Sequence, residues 1–175
     1  MLYHSRVEEA AISLELYSTE DALVAIRVST SSRKPLASWL SRFFDGASVE
    51  PAGRRHADYQ RQLREYLVGR RRVFELPLDP RGSDFQREVW RAVESIPYGA
   101  TATYSEIANR IGKPSAVRAV GAANGANPIP LVIPCHRVLG SDGSLTGYGG
   151  GLPLKEWLLA LEGIRETPAV QKRLF

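Results

Sequence analysis

Residues 12–17 alternate Ile12, Leu14 and Leu16 with Ser13, Glu15 and Tyr17, the two-residue period of a half-buried strand. Residues 23–28 form a second strand-like piece. The period then changes to that of helices over 36–44 and 57–68, and 73–78 predicts a short returning strand. Asp79-Pro80-Arg81-Gly82 makes a turn, after which Ser83 can cap a helix with Phe85, Val89, Trp90 and Val93 on one face. Pro97-Tyr98-Gly99 ends it. Tyr104, Ile107, Ala108 and Ile111 mark another helix, Gly112-Lys113-Pro114 a turn, and 115 to about 123 a second helix, which is a helix-turn-helix outline. Leu131-Val132-Ile133 reads as a strand stopped by Pro134. Pro153 opens a last helix whose apolar face is Leu154, Trp157, Leu158 and Leu161, with Gly163 at its end.

The pattern divides the chain into an α/β region at 1–80, a mostly helical region at 81–165, and a tail at 166–175 that is weakly ordered or docks as a terminal helix. With 175 residues, 43% of them hydrophobic, there is enough apolar surface for a core. No apolar run approaches the ~20 residues of a membrane span, and Met1-Leu2-Tyr3-His4 lacks the basic and apolar regions of a signal peptide, so a cytoplasmic, nucleoid-associated location is expected. The single cysteine excludes an internal disulfide. Three scattered histidines without a Cys-x-x-Cys pair do not make a structural zinc site, so neither a metal nor another cofactor is expected.

Charge narrows the picture through its distribution. The net charge is +4, but residues 107–141 contain no Asp or Glu and four cations, Arg110, Lys113, Arg118 and Arg137. A surface free of carboxylates suits a polyanion such as the phosphate backbone. Within the second helix of the outline, Ala116, Ala119, Gly121, Ala122 and Ala123 are small and Arg118 is the one long side chain. A helix that reads bases in the major groove carries several long polar side chains. This one instead suits close, sequence-independent approach to DNA with an arginine able to enter the base stack, although close packing against another helix would also explain it.

Inside the acid-free window lies Leu131-Val132-Ile133-Pro134-Cys135-His136-Arg137-Val138. A free cysteine is most often a small buried hydrophobe. Here polar residues follow it directly, and a thiol with pKa ~8.5 needs a base or cation to act as a nucleophile near neutral pH. His136 is the candidate base, acting through a bridging water. Glu162, in the last turn of the final helix and opposed to its dipole, needs a compensating partner: a salt bridge to Arg or Lys, or a hydrogen bond to His136 that orients the ring.

These strings together resemble the O6-alkylguanine-DNA alkyltransferase family. The similarity runs over about 74–163 and includes Phe85-Gln86-Arg87-Glu88-Val89-Trp90, Ile96-Pro97-Tyr98-Gly99, Thr103-Tyr104, Arg118-Ala119-Val120-Gly121, Asn127-Pro128, the Cys135 segment, Gly147-Tyr148-Gly149-Gly150-Gly151 and Lys155-Glu156-Trp157-Leu158 through Gly163. Residues 1–70 match only loosely, and the N-terminal zinc ligands of some relatives are missing. The resemblance implies a two-domain α/β (α+β) fold: an N-terminal antiparallel sheet with helices of ribonuclease H-like type, then a winged-helix-like domain. It implies a repair protein that flips O6-alkylguanine out of double-stranded DNA and moves the alkyl group, once and irreversibly, to Cys135. DNA would be bound by a monomer through the minor groove, largely without sequence preference. His136 and Glu162 would help deprotonate the thiol, Asn127 hold the turn that positions it, Arg118 fill the vacated stack, and Tyr104 assist flipping. Val138 would offer a carbonyl to the exocyclic amine, Tyr148 wall the pocket, and Gly149 present its N–H to the guanine oxygen.

Two other classes stay open on residues alone. A cysteine hydrolase would use Cys135 and His136, but no recognised local signature surrounds them. A non-catalytic helix-turn-helix module or damage sensor would keep the outline and dispense with the nucleophile.

Overall fold

The alternation of apolar residues becomes a twisted sheet in the computed structural model, which describes residues 1–28 and 36–165. Strand β1 (Leu2–Glu9) and strand β2 (Ile12–Ser18) form a hairpin across Ala10 and Ala11. Both alanines have positive φ, 51° and 57°, the twist a two-residue hairpin requires and one that costs a residue with a Cβ about 1–2 kcal/mol. Strand β3 (Leu23–Val28) pairs antiparallel with β2, and β4 (Val49–Pro51) adds in parallel on β1, giving the order β3-β2-β1-β4. The sheet is therefore antiparallel at its centre with one parallel edge. Helix α1 (Leu36–Phe43) brings Trp39 and Leu40 to Leu2, Val24 and Ala25. Helix α2 (Ala57–Leu67) places Tyr59, Leu63, Tyr66 and Leu67 in a core shared with Val7, Leu14, Leu16, Ile26 and Val28.

Residues 73–78 differ from the strand expected of them: only Leu78 makes an isolated bridge, to Leu23. The segment runs along the outer edge of β3, where Leu23 donates to the Pro77 carbonyl (2.9 Å) and Asp79 donates back to Leu23 (2.9 Å). Further along, Ile26 donates to the carbonyl of Pro128 (2.8 Å). Each contact is a single rung, too few for a strand. Strand β1 and the three-residue β4, which the pattern did not announce, owe their place to pairing, β1 with β2 and β4 with β1.

The second half is built from capped helices. Helix α3 (Asp84–Glu94) begins at Ser83, whose hydroxyl accepts from Gln86 N while the Gln86 side chain accepts from Ser83 N. The same reciprocal cap, Thr103 with Glu106, joins β5 (Ala102–Thr103) to α4 (Tyr104–Arg110). A single 3-10 turn at Pro114–Ala116 leads into α5 (Val117–Gly125), β6 (Val138–Leu139) pairs in parallel with β5, and α6 (Leu152–Leu161) closes the fold. The expected strand at 131–133 is absent. Leu131 sits at φ 74°, a left-handed conformation that breaks extension, and the segment makes only a bridge from Pro130 to Ile133. Trp90, Val93, Ile107, Val120, Ile133 and Leu158 join the same core as the sheet residues, so apolar packing runs continuously between the halves. The tail expectation at 166–175 lies outside the described residues.

One buried polar group fixes the sheet to α2. His56, wholly buried, has Nδ1 2.7 Å from Ser5 Oγ on β1 and Nε2 2.8 Å from Ser18 Oγ on β2. Burial, with a smaller push from His4, lowers its pKa to about 4. The folded protein therefore binds fewer protons than the unfolded chain between pH 4 and 6.5, and stability falls as pH drops through that window. Denaturant unfolding at pH 7.5 and pH 4.5 should differ by about 2–3 kcal/mol from this residue, and His56→Gln should remove that part of the pH dependence.

Candidate functional site

Cys135 opens a one-turn 3-10 helix, Cys135–Arg137, packed against α3 and α6, and it is buried, as are His136 and Arg137. The turn is held from several sides. Asn127 donates from Nδ2 to the Ile133 carbonyl (2.8 Å) and accepts from Ile129 N at Oδ1 (3.0 Å), closing the loop that leads to the cysteine. Asn124, on α5, donates to the carbonyl of Cys135 itself (3.3 Å). The left-handed backbone at Leu131 belongs to this loop, so its strain is absorbed by the asparagine bonds that define the turn.

His136 and Glu162 meet. Nε2 of His136 lies 2.8 Å from Glu162 Oε1, and the carboxylate takes every other donor within reach. Arg137 donates from Nε to Oε2 (2.9 Å) and from Nη2 to Oε1 (2.9 Å), Tyr66 donates to Oε1 (2.6 Å), and Gly99 N donates to Oε2 (3.2 Å). Both alternatives open for Glu162 are thus realised at once, an arginine ion pair and a histidine bond. Burial works to raise the Glu162 pKa, but the bonds from His136, Arg137 and Tyr66 prevail and bring it down to about 2. An ionised carboxylate 2.8 Å away favours the His136 tautomer that carries its hydrogen on Nε2. The lone pair then resides on Nδ1, which is buried and meets no protein hydrogen-bond partner. Burial also lowers the His136 pKa despite the favourable Glu162, so the ring is neutral at rest.

Above the turn, the 140–151 loop is tied down by a buried cation. Lys155 on α6 donates from Nζ to the carbonyl of Val138 (2.6 Å) and to that of Thr146 (3.2 Å). Burial lowers its pKa to about 8, with Cys135 acting in the opposite direction. Tyr148 and Gly149 lie half-buried on this loop. At Gly150 a Cβ would come within 2.7 Å of the Leu154 side chain and 3.0 Å of the Tyr148 ring, so any larger residue would make those side chains shift.

The remaining predicted residues form the outer face of α4 and α5. Arg118 and Ala119 are exposed, Ala116 and Gly121 half-exposed. Gly121 faces the Tyr104 ring, and the Tyr104 hydroxyl accepts from Thr146 (3.0 Å), which links this face to the loop. Arg118 stands six residues before Asn124, about 9 Å along the same helix from the residue that braces Cys135. Two of the four cations in the acid-free window are committed elsewhere: Arg137 is buried on Glu162, and Lys113 pairs with Glu88 of α3. Three residues of the site were missed. Lys155 was visible as a lysine in an apolar stripe beside Leu154 and Leu158, whereas Asn124 and Tyr66 reach the site only through tertiary packing.

A buried thiol thus sits on a braced turn beside a histidine–carboxylate pair, and α5 presents small residues and the exposed Arg118 on its outer face. Residues 84–164 match the model of the 6-O-methylguanine DNA methyltransferase DNA-binding domain. A methylated-DNA--protein-cysteine methyltransferase of Mycolicibacterium paratuberculosis is 60% identical over 108 residues, 62% of this chain but only 65% of that relative's length. The inducible protein of the same name from Bacillus subtilis is 45% identical over 145 residues, covering 83% of this chain and 81% of the relative. A Mycobacterium tuberculosis OGT, solved in complex with DNA, superposes with a TM-score of 0.81 at 38% identity over 99% of both chains. The chain belongs to the methylated-DNA--protein-cysteine methyltransferase family.

Replacing Glu162 by Gln would leave Arg137 buried opposite a neutral amide. Loss of one partner of a buried ion pair costs about 3–5 kcal/mol. Urea unfolding of Glu162→Gln should show a loss of that size, and a loss below about 1 kcal/mol would mean that the pair is dispensable to the fold.

Proposed function

We propose that this protein takes the alkyl group from O6 of a damaged guanine in double-stranded DNA onto Cys135 and keeps it. The observation that carries this reading is the orientation of His136: Nε2–H is held on an ionised Glu162 and the Nδ1 lone pair is available next to the thiol segment. A water between Nδ1 and Sγ passes the thiol proton to the imidazole, and the resulting imidazolium is stabilised by the carboxylate behind it. The thiolate attacks the alkyl carbon, the S–C bond forms as the C–O6 bond breaks, and the guanine anion takes a proton from water while the imidazolium gives up the thiol's proton to solvent. Lys155 adds a positive charge nearby that favours the thiolate. No neighbouring group can hydrolyse a thioether, so each molecule acts once.

A base inside a duplex is out of reach, and the reaction requires that the nucleotide leave the stack. Arg118 is suited to fill the gap: it is exposed, and among the described residues its side chain makes no hydrogen bond or ion pair. Ala116, Ala119 and Gly121 let the backbone of α5 approach the minor groove, with little capacity to read base edges, so binding is sequence-tolerant. Tyr104 supports flipping from the adjacent helix. In the pocket, the Val138 carbonyl accepts from the exocyclic amine, Gly149 N–H donates to the guanine oxygen, and Tyr148 forms a wall. Asn127 keeps the turn in register. The protein acts as a monomer in the cytoplasm, on the nucleoid. The relatives' printed names and the DNA complex of the mycobacterial neighbour support DNA as the partner.

Incubation with an oligonucleotide containing O6-methylguanine should add one methyl per protein molecule, located on the peptide bearing Cys135; multiple turnovers would refute the transfer reading and favour a hydrolase. Cys135→Ser should bind DNA without accepting the group.

Arg118→Ala should slow repair of duplex DNA by about 10-fold or more while reaction with free O6-benzylguanine stays near the original rate, since only the duplex needs its vacancy filled. Equal losses on both substrates would assign Arg118 another role.

A further inference from the structure

The matched DNA-binding domain begins at residue 84, yet the group closest to the carboxylate behind His136 comes from outside it. Tyr66 stands near the end of α2, in the half of the chain whose resemblance to relatives is loose and in which no chemistry was legible. Its side chain is fully buried. The hydroxyl lies 2.6 Å from Glu162 Oε1 and 3.2 Å from His136 Nε2, so phenol, carboxylate and imidazole form a closed triangle. We propose that Tyr66 is a positioning residue for the thiol chemistry: it holds His136 in the Nε2–H tautomer and thereby makes alkyl transfer depend on the N-terminal half of the protein.

The geometry supplies the reason. The Tyr66 hydroxyl donates to Oε1, and its own lone pair is turned to His136 Nε2, which leaves that nitrogen facing two acceptors and no donor. A hydrogen on Nε2 is then satisfied twice, whereas the other tautomer would set a bare nitrogen against a carboxylate and an oxygen lone pair. The Nδ1 lone pair that receives the thiol proton exists only in the favoured tautomer. Tyr66, with Arg137 and Gly99, also keeps Glu162 well hydrogen-bonded, so the proton taken up by His136 stays on the imidazole. The phenol is fixed by packing that needs no hydrogen bond. Phe74 lies 5.2 Å away between ring centres and Tyr98 edge-on at 6.3 Å. Gly69 ends α2 at φ 73° and brings the helix end against Leu161, the residue before Glu162. Burial, and then the Glu162 charge, push the phenol pKa well above 10, so it remains a donor throughout the range in which the thiol reacts.

The inference rests on the alkyl-transfer reading for its rate consequence but not for its geometric one, and two readouts separate them. In the 175-residue chain, Tyr66→Phe removes one oxygen and keeps the ring packing. Single-turnover transfer from free O6-benzylguanine should slow by about 10-fold or more with DNA affinity unchanged, and 15N spectra of labelled histidine should show His136 losing its pure Nε2–H pattern. Leu2→Ala, in the separate apolar cluster under α1 that does not include the phenol, should lower stability but retain both the rate and the tautomer. Wild-type spectra showing hydrogen on Nδ1 would overturn the proposal even if the variant did not fold. So would a Tyr66→Phe protein with the original tautomer, whatever its rate. If the wild type transfers no alkyl group but Tyr66→Phe still changes the tautomer, the positioning holds and the functional reading fails.

Discussion

A carboxylate at the end of α6 must be buried and charged, and much of the site follows from that requirement. An isolated carboxylate in an apolar interior would take up a proton. Glu162 stays ionised because four residues from three parts of the chain donate to it: Tyr66 on α2, Gly99 after α3, and His136 and Arg137 on the cysteine turn. Each brings its element to a fixed distance from the carboxylate, and so the two halves, the helix end and the reactive turn are located relative to one another by a single side chain. The dipole of α6 opposes this charge, but Arg137 lies against it with two hydrogen bonds and far outweighs an effect of about 0.3–1 kcal/mol.

The same arrangement resolves a tension in the cysteine's environment. Burial favours the neutral thiol, which is unreactive, while a permanent strong base nearby would leave a thiolate exposed to oxidation. A neutral imidazole backed by a fixed carboxylate can receive a proton on demand. Lys155 contributes a charge that is held by two backbone carbonyls rather than by an acid, and therefore remains directed at the site.

Features set by neighbours in sequence were legible; those set by neighbours in space were not. Ser83 as a cap, the helix-turn-helix outline, the end of α6 at Gly163 and the pairing of His136 with Glu162 all followed from periodicity, cap chemistry or resemblance. Strand β4 is three residues long with no alternation to detect, and its partner in the sheet is almost fifty residues away. Residues 131–133 looked like a strand because all three are apolar and Val132 and Ile133 are β-branched, yet the turn that presents Cys135 required Leu131 in a left-handed conformation. Arg137 and Lys113 counted toward a polyanion-binding surface until the fold committed them to Glu162 and Glu88. Tyr66 carried no local signal at all, since a tyrosine on the apolar face of a helix reads as core.

The outer edge of β3 has a consequence for how the chain is made. That edge is covered by Pro77 and Asp79 and by the carbonyl of Pro128, which arrives only after about a hundred further residues have been added. At roughly 5–20 residues per second on the ribosome, Ile26 waits several seconds for its partner. During that interval the nascent sheet offers an open hydrogen-bonding row, the kind of template that recruits strands from other chains. A segment from the second half of the chain therefore seals the edge of the sheet that forms first, and crowding of unfinished chains is the moment at which this fold is most exposed to mispairing.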